Sequence, residues 1–420
     1  MEKLAQYNKY LMKNIKSLDA NFFPNLVDLN SIDKILRSIL PLEEMREAGC
    51  FFTGEDLSVK AIDSFYESIS SQSIILDPTC GAGNLLIACS RKLKIEVTLS
   101  KTLQSWGNIL RGYDLYAAFV TTAKLRIIIE ALSRGAHSDC NIDEALDLLP
   151  FIQTRDAMTV TAKDVEKITH VIMNPPFNSW LSPRINYWKQ GKVNSAGIIL
   201  DHYIRILPNH CNISAILPDV LRSGSRYYHF RDFISSGMKA TCEIYGRFNS
   251  QTDVDVFILS GIKTENNLEK IEWVVDLGNY TPLSKFFDVC IGPLVAYRDL
   301  QEGNEYPYFH AKNSLAWEEI SILTEKRRFK GKVLTPPLIL IKRTSSPSDK
   351  YRASATLITL NEPIAIENHM IAIIPKDGSL KNCKKLFDIL KSETTNSFLN
   401  NRARMRHLTV KVVKEIPIEL

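Results

Sequence analysis

No stretch of this 420-residue chain holds the roughly 20 consecutive apolar residues a helix needs to cross a bilayer. Its hydrophobic runs are short and broken by charges. The opening MEKLAQYNKYLMKNIKSL is amphipathic and mixed in charge, without the apolar core or cleavage site of a secretory signal. Cysteine is sparse and has no motif spacing. Cys50, Cys80, Cys89, Cys140, Cys211, Cys242, Cys290 and Cys383 form no C-x-x-C pair and no Cys/His metal spacing. They read as reduced thiols of a cytoplasmic protein, with no metal. Internal repeats and low-complexity tracts are missing, and no PD-(D/E)xK-like run stands in a credible context, so strand cleavage by this chain is not expected. What is there is ordinary globular composition, 45% hydrophobic and 24% charged, with mean hydropathy near −0.10. That excludes a disordered chain, which lacks the apolar residues to offset ordering entropy.

Charge of one sign is also scarce, but it is unevenly placed. Residues 1–260 hold 28 Lys+Arg and 28 Asp+Glu, whereas 261–420 hold 24 and 19, which is the whole net +5. A neutral front and a basic back suit a catalytic body followed by a polyanion-binding domain.

Residues 1–48 read as a helical segment: apolar residues recur at three- and four-residue spacing in SIDKILRSILPLEEM, up to Pro41. Short β-rich runs follow at 73–77, 108–114, 169–174, 213–218, 242–246 and 254–260, with helical stretches between several of them, notably 116–132 and 222–236. Such alternation implies a mostly parallel sheet covered on both faces. The last two runs have no helix between them, so one strand is expected to enter antiparallel. Beyond 265 the pattern is irregular, with Pro/Gly turns, and reads as a second, α+β domain. The expected division is 1–48, 49–264 and 265–420.

Two short segments carry chemistry. In Ile75-Leu76-Asp77-Pro78-Thr79-Cys80-Gly81-Ala82-Gly83-Asn84 a buried strand ends in an acid, and a G-x-G turn opens a helix. Glycines there permit positive φ and close approach of backbone to a ligand. The full dinucleotide fingerprint is missing because position 86 is leucine, and no Lys-Ser/Thr follows to cradle phosphate. Asp114 and Leu115 end the next strand, where a carboxylate can accept from both ribose hydroxyls. Upstream, Phe51-Phe52-Thr53-Gly54 leads into a helix that Thr53 is placed to cap. The second segment is Asn174-Pro175-Pro176-Phe177. A strand ends in an amide, two prolines fix the chain, and an aromatic follows. The Asn174 amide oxygen and the Pro175 carbonyl can accept from one NH2 group, favouring a pyramidal nitrogen whose lone pair turns toward an electrophile. Phe177 offers a face on which a planar ring can stack.

In the order FFTGEDL, DPTCGAGN, GYDLYAA, TRDAM and NPPF, followed by a recognition region, the sequence resembles the amino-group DNA methyltransferases that modify adenine at N6. The arrangement is similar to the gamma class of type I and type II restriction–modification systems. It is close over roughly 45–260 and holds only in style beyond. The resemblance implies a Rossmann-like S-adenosylmethionine-dependent methyltransferase domain, with a seven-stranded, mostly parallel sheet and a C-terminal α+β target-recognition domain. Carried over, Thr53 would touch the methionine part of S-adenosylmethionine. Asp77, Pro78, Cys80, Gly81, Gly83 and Asn84 would shape its pocket, Asp114 and Leu115 would hold the ribose, and Asp156 and Ala157 the adenine. Asn174, Pro175, Pro176 and Phe177 would grip the target base, and Phe248, in the turn before the last strand, would sandwich it against Phe177. LPDVLRSGS (217–225) matches a segment that flanks the pocket in relatives.

Two departures stand out. Phe-Thr-Gly at 52–54 replaces the F-x-T-P of many relatives, so the start of that helix is expected to differ. An insertion at 94–107 is expected to lengthen a loop near the cofactor.

An adenine amine inside a duplex is out of reach of the donor methyl, so the nucleotide must be extruded. Three basic clusters are candidates for the duplex: Lys326, Arg327, Arg328 and Lys330; Lys342 and Arg343 with Lys350 and Arg352; and Arg402, Arg404 and Arg406. Asn368 and His369 are expected to hold structure. The partner expected is double-stranded DNA, with a cognate restriction endonuclease or other subunits of a prokaryotic system, and no membrane. Alternatives are the same tetrapeptide acting on ribosomal RNA or a protein glutamine, a non-catalytic binding protein on this fold, or a subunit needing a separate specificity protein.

Overall fold

In the computed structural model the described residues are 2–17, 23–39, 45, 52–249, 252–265, 267–275 and 278–419. Phe51, Cys50, the stretch around Pro41, Ser250 and Gln251 lie outside them. The chain forms two compact units, residues 1–273 and 274–420.

In the first unit the apolar spacing of the N-terminal segment becomes helices α1 (Glu2–Ser17), α2 (Phe23–Val27) and α3 (Ser31–Ile39), which bury Leu4, Leu11, Leu26 and Leu36. Helix α4 (Glu55–Asp63) precedes β1 (Ile75–Asp77), and α5 (Asn84–Ser90) follows it. Then come α6 (Leu99–Ile109), β2 (Leu110–Asp114), α7 (Ala117–Ser133), β3 (Ile152–Thr154) and β4 (His170–Met173). A two-stranded hairpin, β5 (Ser179–Leu181) with β6 (Lys192–Asn194), leads into α8 (Ser195–Ile206) and β7 (Asn212–Pro218). The long strands β8 (Met238–Asn249) and β9 (Thr252–Lys263) close the unit.

Seven of these strands form one sheet in the order β3-β2-β1-β4-β7-β9-β8. The first five are parallel, and β9 runs antiparallel to both β7 and β8, as the missing crossover helix requires. This is a Rossmann-like, mostly parallel α/β architecture. Strand β1 is buried throughout, and parallel strands covered on both faces read as continuous apolar runs. Strand β3 was not among the expected runs: only Ile152 of its three residues is buried, so it has no apolar signature.

The insertion at 94–107 is corrected by the structure. It is not a loop near the pocket but mostly helix α6. Thr98 caps the helix by accepting from the Lys101 amide, and Leu99, Leu103 and Trp106 are buried along one face. The strand expected from 108 accordingly begins at Leu110.

In the second unit, β10 (Phe287–Ile291), β12 (Glu319–Ile320), β14 (Leu338–Lys342), β15 (Ala355–Ile358) and β17 (Met370–Pro375) make a five-stranded sheet. β11 (Asn304–Phe309), β13 (Lys326–Phe329) and β16 (Ala365–Ile366) make a three-stranded one. Helices α9 (Leu380–Leu390), α10 (Glu393–Arg402) and α11 (Val410–Lys414) complete an α+β unit with its own core around Phe287, Ile341, Leu386 and Phe398.

Candidate functional site

The carboxyl ends of β1, β2, β3 and β4 lie in register, and the chain leaves each with a polar residue: Asp77, Asp114, then Arg155-Asp156, and Asn174. They open on a cleft of about 770 Å³. Of the residues expected to hold a cofactor, Thr53, Asp77, Pro78, Cys80, Gly81, Asn84, Asp114, Leu115, Asp156 and Ala157 line it, together with Asn174 and Pro176. Gly83 supports the cleft from behind. Its φ is +84°, and a Cβ there would sit 3.0 Å from that of Ala123 in α7, so both the turn and the close packing of the helix need glycine.

Asp77 is 2% exposed and its Oδ1 accepts from the Thr79 amide. Burial pushes its carboxyl up to about 8, the Thr79 amide opposes that, and Asp114 nearby adds to it. Asp114 accepts from the amides of Gly81 (3.1 Å) and Tyr116 (2.9 Å), and burial raises it to about 6. Asp156 caps a short 3-10 turn through the Met158 amide. The cleft is thus lined by carboxylates whose charging costs solvation, an environment that favours a cationic ligand. Burial also raises the Cys80 thiol well above its usual range, so it is no nucleophile.

Two cofactor-side expectations change in detail. Thr53 does not cap helix α4; the cap position is Gly54, and the Thr53 hydroxyl instead accepts from Nδ2 of Asn174 at 3.0 Å. Asn84 reaches the lining, but its amide turns inward, to the carbonyls of Thr53 (2.7 Å) and Leu29 (3.1 Å) and to Arg126 (2.6 Å).

The proline turn divides its carbonyls by role. Pro176 accepts from the Ser195 hydroxyl and Phe177 from Nδ2 of Asn194 (3.1 Å), both at the start of α8. The Pro175 carbonyl accepts no hydrogen bond among the described residues. Phe177 and Phe248 meet edge to face, with ring centres 5.9 Å apart and planes at 82°. Two rings so arranged touch one another, and a third can enter between them only if they part. Neither ring lines the cleft. Sequence reasoning missed Trp180, on the hairpin three residues after Phe177, and Tyr116, Arg155 and Ile199, all in the lining. Of these, Arg155 is tied to Asp164 at 2.8 Å and lies over Tyr113. The signal for Trp180 was its closeness to the tetrapeptide, which carries no periodicity of its own.

In the second unit, Lys326, Arg328 and Lys330 are exposed, with Lys330 paired to Glu302 at 2.7 Å. Arg327, on the opposite face of β13, donates to the carbonyls of Ala296 (3.0 Å) and Asp299 (2.9 Å). Arg402 donates to the Tyr280 hydroxyl, and Arg404 and Arg406 are half-buried and exposed, respectively. Arg352, grouped with the second basic cluster, is fully buried and donates to the carbonyls of Ala403 and Met405. It is a structural group rather than a phosphate contact.

The fold is Rossmann-like, with the cleft at the carboxyl ends of its parallel strands. Within it, residues 35–202, two-fifths of the chain, match the family model described as N-6 DNA Methylase. The type IIL restriction–modification enzyme MmeI, solved in complex with DNA, is similar in fold: TM-score 0.54 and 11% identity, over 91% of this chain and 69% of that one. The type IIG restriction endonuclease BpuSI gives a TM-score of 0.45 and 13% identity, over 86% of this chain. The methyltransferase subunit of a type I system from Streptococcus thermophilus gives 0.38 and 16%, over 57%. This chain spans 57% of the length of BpuSI and 50% of that subunit. No curated protein matches it.

Proposed function

We propose that this protein transfers a methyl group from S-adenosylmethionine to the N6 amine of an adenine extruded from double-stranded DNA, in a restriction–modification or related defence system. The observation that carries the reading is the division of carbonyls in the proline turn. The neighbours of Pro175 are occupied by α8, while its own carbonyl, beside the Asn174 amide, accepts no bond from the described residues. An acceptor pair at the end of β4, beside a cleft whose lining holds Asn174 and several carboxylates, suits a planar amine on one side and a cationic donor on the other.

S-adenosylmethionine, when bound, supplies the electrophilic methyl. Asp77 lies where the cleft is least solvated, and Asp114, fixed by two amides, is the ribose acceptor. Asp156 and Ala157 take the adenine, and Leu115 covers the cleft rim. Asn174 and Pro175 draw on the hydrogens of the target amine and move its lone pair out of the ring, and the departing proton needs no dedicated base while the bond forms. Phe177 stacks on the base, with Phe248 on its other face once the two rings separate. Stacking of this kind contributes about 1–3 kcal/mol per base. Residues 265–420, with Lys326, Arg328 and Lys330 exposed, hold the duplex.

The test is incubation with labelled S-adenosylmethionine and duplex DNA, RNA or ribosomes. Label is expected on adenine of DNA; label on RNA or protein alone would overturn the substrate. Asn174→Ala is expected to abolish transfer while cofactor binding survives, measured by calorimetry beside a single-turnover assay.

A further inference from the structure

Between the glycine turn and the proline turn runs a buried chain of polar groups, and it begins at a charge. Arg126, in the middle of α7, is fully buried. Its Nη1 donates to the Ala82 carbonyl in the glycine turn (2.8 Å) and to Oδ1 of Asn84 (2.6 Å), and its Nε donates to the Leu26 carbonyl in α2 (3.1 Å). Asn84 passes the constraint on through Nδ2, which holds the Thr53 carbonyl at 2.7 Å. Thr53 is 2% exposed, and its hydroxyl oxygen meets Nδ2 of Asn174 at 3.0 Å. Each bond is between segments far apart in sequence, and Arg126, Asn84 and Thr53 are withdrawn from water, where a misplaced polar atom costs its full desolvation, while Asn174 is half-buried.

We infer that Thr53 is a positioning residue for methyl transfer: by accepting from Nδ2 it holds the Asn174 amide in place for the target amine. The inference rests on the methyl-transfer reading. A hydroxyl both donates and accepts, so Thr53 does not select the amide's orientation; its bond to Nδ2 fixes the plane and the reach of the Asn174 side chain at the end of β4. Arg126 and Asn84 keep Thr53 where this works, so α2, the glycine turn and the amine acceptor are set together. The role differs from a cofactor contact, which would be felt in binding and not in the transfer step.

The experiment compares Thr53→Val, which keeps shape and removes the hydroxyl, with Thr53→Ser, which keeps the hydroxyl, in the full chain. Three quantities are read: cofactor affinity by calorimetry, single-turnover transfer to duplex DNA at saturating cofactor, and the side-chain NH2 resonance of Asn174 in protein labelled with 15N-asparagine. That resonance is assigned by its loss in Asn174→Ala. Thr53→Val is expected to lower the transfer rate about 30-fold or more with cofactor affinity changed less than about 3-fold, and to shift the Asn174 resonance and speed its hydrogen exchange. Thr53→Ser is expected to restore both. A loss confined to cofactor affinity, or a transfer rate unchanged in Thr53→Val, would overturn the inference. A wild-type protein that methylates no DNA defeats the underlying reading instead, and the resonance of Asn174 still reports whether Thr53 holds the amide.

Discussion

Asp77 shows how a single residue can report on the site. In the folded protein its carboxyl titrates at about 8, while an unfolded chain ionises it near 4. Between those values the folded state holds a proton the unfolded state has lost. Its contribution to stability is therefore complete below pH 4 and declines as pH rises through about 8. The thermal midpoint of the protein without cofactor is expected to carry that downward slope between pH 5 and 8, and Asp77→Asn is expected to flatten it. A cationic ligand favours the ionised form, so its affinity is expected to rise over the same interval in wild type and to stay level in the variant. Calorimetry across pH checks both. Asp77, Asp114 and Asn174 were legible because each stands at the end of an apolar strand, a position that sequence reveals. Thr53 was legible as important, but its partner was not. A threonine before Gly54 looks like a cap, and the bond to Asn174 crosses 121 positions that no local pattern links.

Among the elements, α6 and the hairpin after Phe177 were the hardest to foresee. The segment 94–107 looks polar in composition, yet Trp106 is fully buried, its indole N–H donating to the Lys94 carbonyl at 3.0 Å, with Arg134 stacked on its ring. Trp106→Ala is expected to destabilise the first unit by about 3–5 kcal/mol in denaturant titration. Cofactor affinity at low temperature should remain intact, because no residue of α6 lines the cleft. The five parallel strands were readable as apolar runs, except β3, which is short and held by register with β2 rather than by its own hydrophobicity. A strand of three residues cannot announce itself by alternation.

At the scale of the molecule, the charge asymmetry follows the structural units more sharply than it follows residue 260. Residues 1–273 hold 30 basic and 31 acidic side chains, and 274–420 hold 22 and 16. Not every cation there is available to a partner: the side chains of Arg327 and Arg352 are engaged with backbone carbonyls. Lys326→Ala with Arg328→Ala is expected to weaken duplex binding and to lower the slope of log affinity against log salt by roughly 0.9 for each phosphate that is no longer neutralised. Arg352→Ala should instead lower the unfolding temperature. Sequence could count these charges; it could not sort buried struts from exposed cations, because burial is decided by partners elsewhere in the fold.

The anchoring of the proline turn to α8 has a mechanical consequence. Ser195 and Asn194 bolt Pro176 and Phe177 to the start of a twelve-residue helix, so Phe177 is a fixed jaw. Phe248 sits at the end of a strand whose pairing slips twice, between Ile244 and Gly246 and again between Arg247 and Asn249, with Gly246 at φ +103°. Interrupted pairing bends more readily than a continuous ladder. On the proposed reading, a base would therefore be admitted by movement of Phe248 rather than of Phe177. Amide hydrogen exchange should accordingly be fast around Phe248 and slow at the start of α8.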